Sequence, residues 1–154
     1  QRIWNEIRVI DYYENNGEWL SHYVGMLREK GYRYWTTWLP HDWQARSIQT
    51  GKTVEEKLYE YGFTDINIVP KLSVLDGINS ARAILPYCYF DREKTERGWK
   101  CLKNYHKEFD EKRTAYKWPE HDWSSHGADA FRYLAVVNEI YNWENKKAKI
   151  ITSR

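Results

Sequence analysis

His121, Asp122, His126 and Asp129 lie within nine residues near the end of a 154-residue chain. Asp122, His126 and Asp129 are spaced i, i+4, i+7, so on a helix they project from one face. Three polar, metal-competent groups on one face are expensive to bury unless something pairs them. A divalent cation is their natural partner. Gly127 sits among them, where glycine costs about 1 kcal/mol against alanine in a helix. Close approach of a metal, a substrate or another backbone would account for it. A second acid, Asp42, ends the run Leu39-Pro40-His41-Asp42 after an extended aromatic segment. A carboxylate just past a strand end is a common site position in α/β sheets. The two segments suggest a carboxylate metal site assembled from distant parts of one fold. Plainer readings stand beside this one. The stripe is then a solvated polar face with acids favoured by the helix dipole, and Asp122 is a cap. Pro-His-Asp is then a turn, and His41 is either an orienting group for a ligand or a surface imidazole.

The elements that must position these groups follow from patterning. Residues 3–13 read as a strand ending in an Asn15-Asn16-Gly17 turn. Residues 18–30 read as a helix with Leu20, Tyr23, Val24 and Leu27 on its apolar face and Gly31 as its stop. Strands are expected over 32–39, 66–69 and 87–90. Helices are expected over 53–61, closed by Gly62, over 74–85 with Ser73 as N-cap, and over 93–104. Residues 105–118 are ambiguous, with a hairpin turning near Asp110-Glu111-Lys112 as one solution. The last helix starts near Asp122 and runs to about Asn142, where Phe131, Leu134 and Val137 face a sheet. Residues 145–154 form a basic tail. Strands alternating with helices indicate an α/β domain with a mixed sheet.

Composition narrows the function classes. With 42% hydrophobic and 30% charged residues the chain is not a disordered one. Nine Trp and 13 Tyr suit a core, but also base stacking and interfaces. A net charge of +2 neither demands nor excludes nucleic acid. Residues 92–117 carry nine basic residues against five acids, with aromatics interleaved. Within that stretch Lys103, Lys107, Lys112, Arg113 and Lys117 are candidate phosphate contacts, or else a solvated helix and hairpin. Cys88 and Cys101 form neither a disulfide framework nor a zinc pattern, and fit ordinary buried thiols in a reducing compartment. No apolar run is long enough to span a bilayer. Thr50-Gly51-Lys52-Thr53 copies the end of a phosphate-binding loop, but that motif needs glycine where Arg46 stands. Thr53 reads instead as an N-cap.

Four segments resemble the nuclease domain of tailed-phage terminase large subunits, the DNA-packaging motors. They are Ile10-Asp11-Tyr12-Tyr13-Glu14, Leu39-Pro40-His41-Asp42, Val69-Pro70-Lys71, and His121-Asp122-Trp123 through Ala128-Asp129-Ala130-Phe131-Arg132-Tyr133. They stand in the family's order over nearly the whole chain. The resemblance implies a ribonuclease H-like mixed sheet flanked by helices, with residues 1–144 as an N-terminally truncated nuclease domain. It implies metal-dependent cleavage of duplex DNA during viral genome packaging in an infected or lysogenic bacterial cytoplasm. Portal and small terminase subunit are the implied partners. Two of the family's three metal-binding acids map to Asp42 and Asp129, and His126 matches a histidine that some members place beside the last acid. Mg²⁺ or Mn²⁺, as two ions, is the implied cofactor. The family's first acid lies on a strand upstream of the segment matching Glu6 to Tyr13, and its ATPase domain also lies upstream. Neither has a counterpart in these residues. The alternative is a non-catalytic DNA-binding or motor-docking module that has lost the complete metal site. A zinc protein using Cys88, Cys101 and histidines is a weaker third reading.

Overall fold

The computed structural model describes residues 1–3, 6–47, 51–110, 115–119 and 122–152, of which 107–110, 115–118 and 141–152 are described in their backbone only. The strands are β1 (Arg2–Ile3), β2 (Glu6–Val9), β3 (Thr37–Leu39), β4 (Ile66–Ile68), β5 (Cys88–Phe90), β6 (Lys107–Asp110) and β7 (Ala115–Pro119). The α-helices are α1 (Leu20–Glu29), α2 (Val54–Glu60), α3 (Val74–Ile84), α4 (Glu96–Asn104) and α5 (Ser125–Thr152). The architecture is mixed α/β. The described residues fall into two compact units, Gln1–Glu14 with Ser73–Arg154, and Asn15–Leu72.

In the first unit β2 pairs antiparallel with β1 and parallel with β5, giving the order β1-β2-β5. Ile7 of β2 is buried with Ile84, Phe131 and Ala135, and Phe90 packs against this cluster with its ring 5.8 Å from that of Phe131. Ala128, Phe131 and Ala135 are buried on α5 at i, i+3 and i+7, the spacing of one helical stripe. This stripe turns α5 toward α3 and α4. The expected strand over 3–13 is therefore two short strands. Beyond Val9 the chain leaves the sheet, and the Tyr12 N–H donates to the Lys94 carbonyl at 3.2 Å. The segment 105–118 contains the antiparallel hairpin β6–β7. The last helix continues past Asn142 to Thr152, so most of the expected basic tail is helical.

In the second unit β3 and β4 pair in parallel, Thr37 opposite Ile66 and Leu39 opposite Ile68. Val24 of α1, Leu39, Leu58 of α2 and Ile66 form its core. Burying each such side chain stabilises by roughly 1.5–3 kcal/mol. The helix ends lie where capping chemistry puts them. Gly31 and Gly62 adopt φ of +64° and +87°, the left-handed stop conformation. The Thr53 hydroxyl accepts from the Glu56 N–H while the Glu56 carboxylate accepts from the Thr53 N–H. Thr53 is thus a cap, and Lys52 pairs with Glu60. No helix among the described residues is long and apolar enough to cross a membrane.

Candidate functional site

Asp122 is not part of the α5 stripe. Its carboxylate turns back to accept the Ser124 N–H at 2.9 Å and the Ser124 hydroxyl at 2.6 Å. This local turn delays the helix to Ser125, which hydrogen-bonds through both N–H and hydroxyl to the Asp122 carbonyl. The bonds from Ser124 hold the Asp122 carboxyl below its ordinary titration range. The i, i+4, i+7 face expected from spacing therefore keeps only His126 and Asp129. His126 is exposed on the first turn of α5, and Asp129 lies half-buried one turn on. Arg132 donates to Asp129 Oδ1 from Nε at 3.0 Å and from Nη2 at 2.7 Å. An acid three residues before an arginine on one helix can meet it, and that spacing was the signal the sequence offered for this pair.

Gly127 is explained by packing. A Cβ there would lie 2.6 Å from Cys101 Cβ, 2.7 Å from Cys101 Sγ and 2.9 Å from the Tyr12 hydroxyl. Gly98 of α4 faces the Tyr12 ring in the same way, at 2.8 Å. Tyr12 is therefore wedged where α4 and α5 meet, and the close approach that Gly127 permits is to another helix's side chain. The Tyr12 hydroxyl donates to Glu14 at 2.6 Å, and Arg97 binds the other Glu14 oxygen. Arg97 also lies over the Trp123 ring, with its guanidinium carbon 4.4 Å from the ring centroid. This chain of contacts ties the segment after β2 to α4 and to the entry of α5. The sequence held Tyr12 and Glu14 in a matching segment but gave no reason to join them to Arg97.

Burial alone would raise the Glu14 carboxyl. The bonds from Tyr12 and Arg97 outweigh it, so Glu14 titrates below its ordinary value of 4.5. Burial, the Glu14 hydrogen bond and the Glu14 charge together raise Tyr12. A carboxylate with a depressed folded-state pKa contributes stability above its unfolded pKa and loses it as pH falls through the folded value. The denaturation midpoint is accordingly expected to fall on acidification below about pH 4.5, and Glu14→Gln to flatten that slope. Equal slopes in the two proteins would remove Glu14 from the account.

Asp42 occupies a different setting, in the second unit. β3 ends at Leu39, and residues His41–Gln44 form a 3-10 turn that presents Asp42 exposed immediately past the carboxyl end of the parallel pair. Beside it His41 is half-buried, with Nδ1 shielded and no hydrogen-bond partner among the described residues. Such a buried orphan costs about 1–3 kcal/mol and calls for an explanation.

The candidate phosphate contacts are placed unevenly. Lys103 is exposed on α4 with its ammonium 4.5 Å over the Trp99 ring. Lys107 and Lys117 stand in β6 and β7, where only the backbone is described, and Lys112, Arg113 and His121 lie outside the described residues. Cys101 is fully buried and Cys88 half-buried, with burial pushing the Cys88 thiol up to about 11. Among the described residues no three His, Cys, Asp or Glu side chains cluster as a metal site. The carboxylates of Asp42 and Asp129 are hard oxygen donors of the kind Mg²⁺ and Mn²⁺ prefer. In donor chemistry each of them fits such ions. Compared with known protein families, curated proteins and solved structures, the chain matches none.

Proposed function

We propose that this chain is the nuclease part of a terminase-type DNA-packaging motor, of ribonuclease H-like fold, cutting duplex DNA with the help of divalent metal. The observation that carries the reading is Asp42, exposed at the carboxyl end of a parallel strand pair beside His41, whose Nδ1 has no hydrogen-bond partner among the described residues. His126 and Asp129 support it, since they bring an exposed imidazole and a carboxylate to the first turns of α5. The reading assigns metal ligation to Asp42 and Asp129. It assigns His126 to ligation or to holding the attacking water. When bound, two Mg²⁺ or Mn²⁺ ions would supply charge stabilisation at the attacking and leaving oxygens of a phosphodiester. The Glu14–Arg97–Trp123 contacts hold the entry of α5, and so the turn bearing His126, in one position.

The test joins the chain to the acidic strand that the family places upstream and incubates it with supercoiled plasmid. Nicking with Mn²⁺, blocked by chelator and lost in Asp42→Ala, is the expected result. A folded protein that stays inert with Mn²⁺ removes the catalytic claim.

A second reading is favoured by one specific observation, the commitment of Asp129 Oδ1 to Arg132. On that reading the chain is a DNA-binding or motor-docking module without chemistry. Calorimetry separates the two, because the module binds DNA in a salt-sensitive way and takes up neither Mg²⁺ nor Mn²⁺.

A further inference from the structure

The second unit carries an aromatic surface that the nuclease reading does not use. Trp35 is 75% exposed, the greatest exposure among the large apolar side chains described. It stands at a groove of about 220 Å³ that Arg28, Tyr34, Tyr61 and Phe63 also line. Two bonds to backbone carbonyls brace this wall of the groove. The Tyr34 hydroxyl donates to the Leu27 carbonyl at 3.1 Å, and its ring meets Tyr32 edge-on at 6.3 Å. Arg28 Nη2 donates to the Tyr61 carbonyl at 2.8 Å. The Arg33 guanidinium carbon lies 4.8 Å from the Trp35 ring centroid. Residues 28–35 hold three basic residues, one acid and three aromatics. Asp65, the one acid lining the groove among the described residues, accepts from Thr36 and Asn67.

A largely exposed indole with Arg33 over its ring, a Tyr34 held by its hydroxyl, and Arg28 lining the groove have a clear chemical complement. The rings offer stacking surface to a flat base, and Arg28 and Arg33 offer charge to the phosphates on either side. A duplex keeps its base faces stacked inside, so only an unpaired strand can use such a platform. A proline-rich peptide would seek the aromatic groove but leaves the arginines without a counter-charge.

We infer that the groove of Trp35, Tyr34 and Tyr61, flanked by Arg28 and Arg33, is a stacking site for unpaired bases of a single-stranded nucleic acid. The inference is independent of the nuclease reading, because the site binds whether or not the chain cuts. The test is fluorescence anisotropy of a labelled oligothymidylate and of a labelled duplex of equal length, with wild type, Trp35→Ala, Arg33→Ala and Trp19→Ala. Trp19 is 71% exposed and does not line the groove, so it serves as the control. Trp35→Ala is expected to weaken single-strand binding about tenfold and to leave duplex binding and the circular dichroism spectrum unchanged. Arg33→Ala weakens single-strand binding less and lowers its salt dependence. Trp19→Ala behaves as wild type. The inference is overturned if wild type does not bind the oligothymidylate, if Trp35→Ala and Trp19→Ala lose equally, or if single strand and duplex weaken together. It is also overturned if a proline-rich peptide binds the groove and the oligonucleotide does not.

Discussion

Asp129→Asn is expected to lower metal-stimulated nicking by about a thousandfold and to leave the fold intact. The fold-change corresponds to several kcal/mol of lost charge stabilisation at the scissile phosphate. The amide retains an oxygen where Asp129 Oδ1 accepts both Arg132 donors. The helical pairing therefore survives in geometry and loses only its charge, and such a partly exposed pair contributes at most about 1 kcal/mol. Asp129→Ala removes the pairing as well, and the Arg132 stem, which lies against Gly77 of α3, loses its anchor. Comparing the two variants divides chemistry from structure. Nicking lost in both with an unchanged melting temperature in Asp129→Asn supports ligation. Wild-type nicking in Asp129→Asn would make Asp129 a partner for Arg132 and nothing more. Arg132→Ala is the complementary control, since it deletes the cation that holds Asp129 Oδ1 and that a metal on the ligation reading would have to displace.

Gly127→Ala is expected to destabilise the first unit by about 2 kcal/mol or more. Alanine gains about 1 kcal/mol of helix propensity over glycine. Against this, its methyl group would lie 2.6 Å from Cys101 Cβ, a separation that real side chains do not tolerate. Cys101 is fully buried and Tyr12 is held by Glu14, so neither can yield without loss elsewhere. Overpacking of this kind costs typically about 1–3 kcal/mol, and two obstructing partners place it at the upper end. Gly25→Ala is the contrasting case. Gly25 lies within α1 with nothing within 4 Å of an added Cβ. There the propensity gain stands alone, and its own unit should become more stable by about 0.5–1 kcal/mol. Urea midpoints moving in opposite directions at constant slope are the expected readout. A neutral Gly127→Ala would mean that α4 and α5 are less closely packed than their geometry implies.

Local chemistry was the most readable part of the chain. Thr53 and Ser73 cap helices as their types predict, and Gly31 and Gly62 stop them, because each of these effects is settled within four residues. Competition within the backbone was harder to read. Asp91 accepts from the N–H groups of Glu93 and Lys94, and that turn moves the start of α4 to Glu96. Asp122 does the same to α5. The aromatic run 32–39 has strand propensity throughout, yet only Thr37–Leu39 pairs. Tyr34 bonds back to Leu27 and Thr36 reaches Asp65, so tertiary partners override propensity. At the candidate site the residue types pointed to carboxylate chemistry. The partnerships of Asp129 with Arg132, Tyr12 with Gly98 and Arg97 with Trp123 did not emerge, since two of the three join residues far apart in sequence.

The first unit is discontinuous. β2 has its antiparallel partner close at hand in β1, but its parallel partner β5 is met only when Ile7 pairs with Cys88, 81 residues later. The second unit is one uninterrupted stretch, Asn15–Leu72. During synthesis, therefore, Asn15–Leu72 can collapse while the ribosome is still extending the chain, and β2 waits with one edge unclaimed. Closing so long a loop is entropically slow. That places the exposed, aggregation-prone interval of biogenesis at β1 and β2, which leave the exit tunnel before the second unit does and complete their pairing only after it.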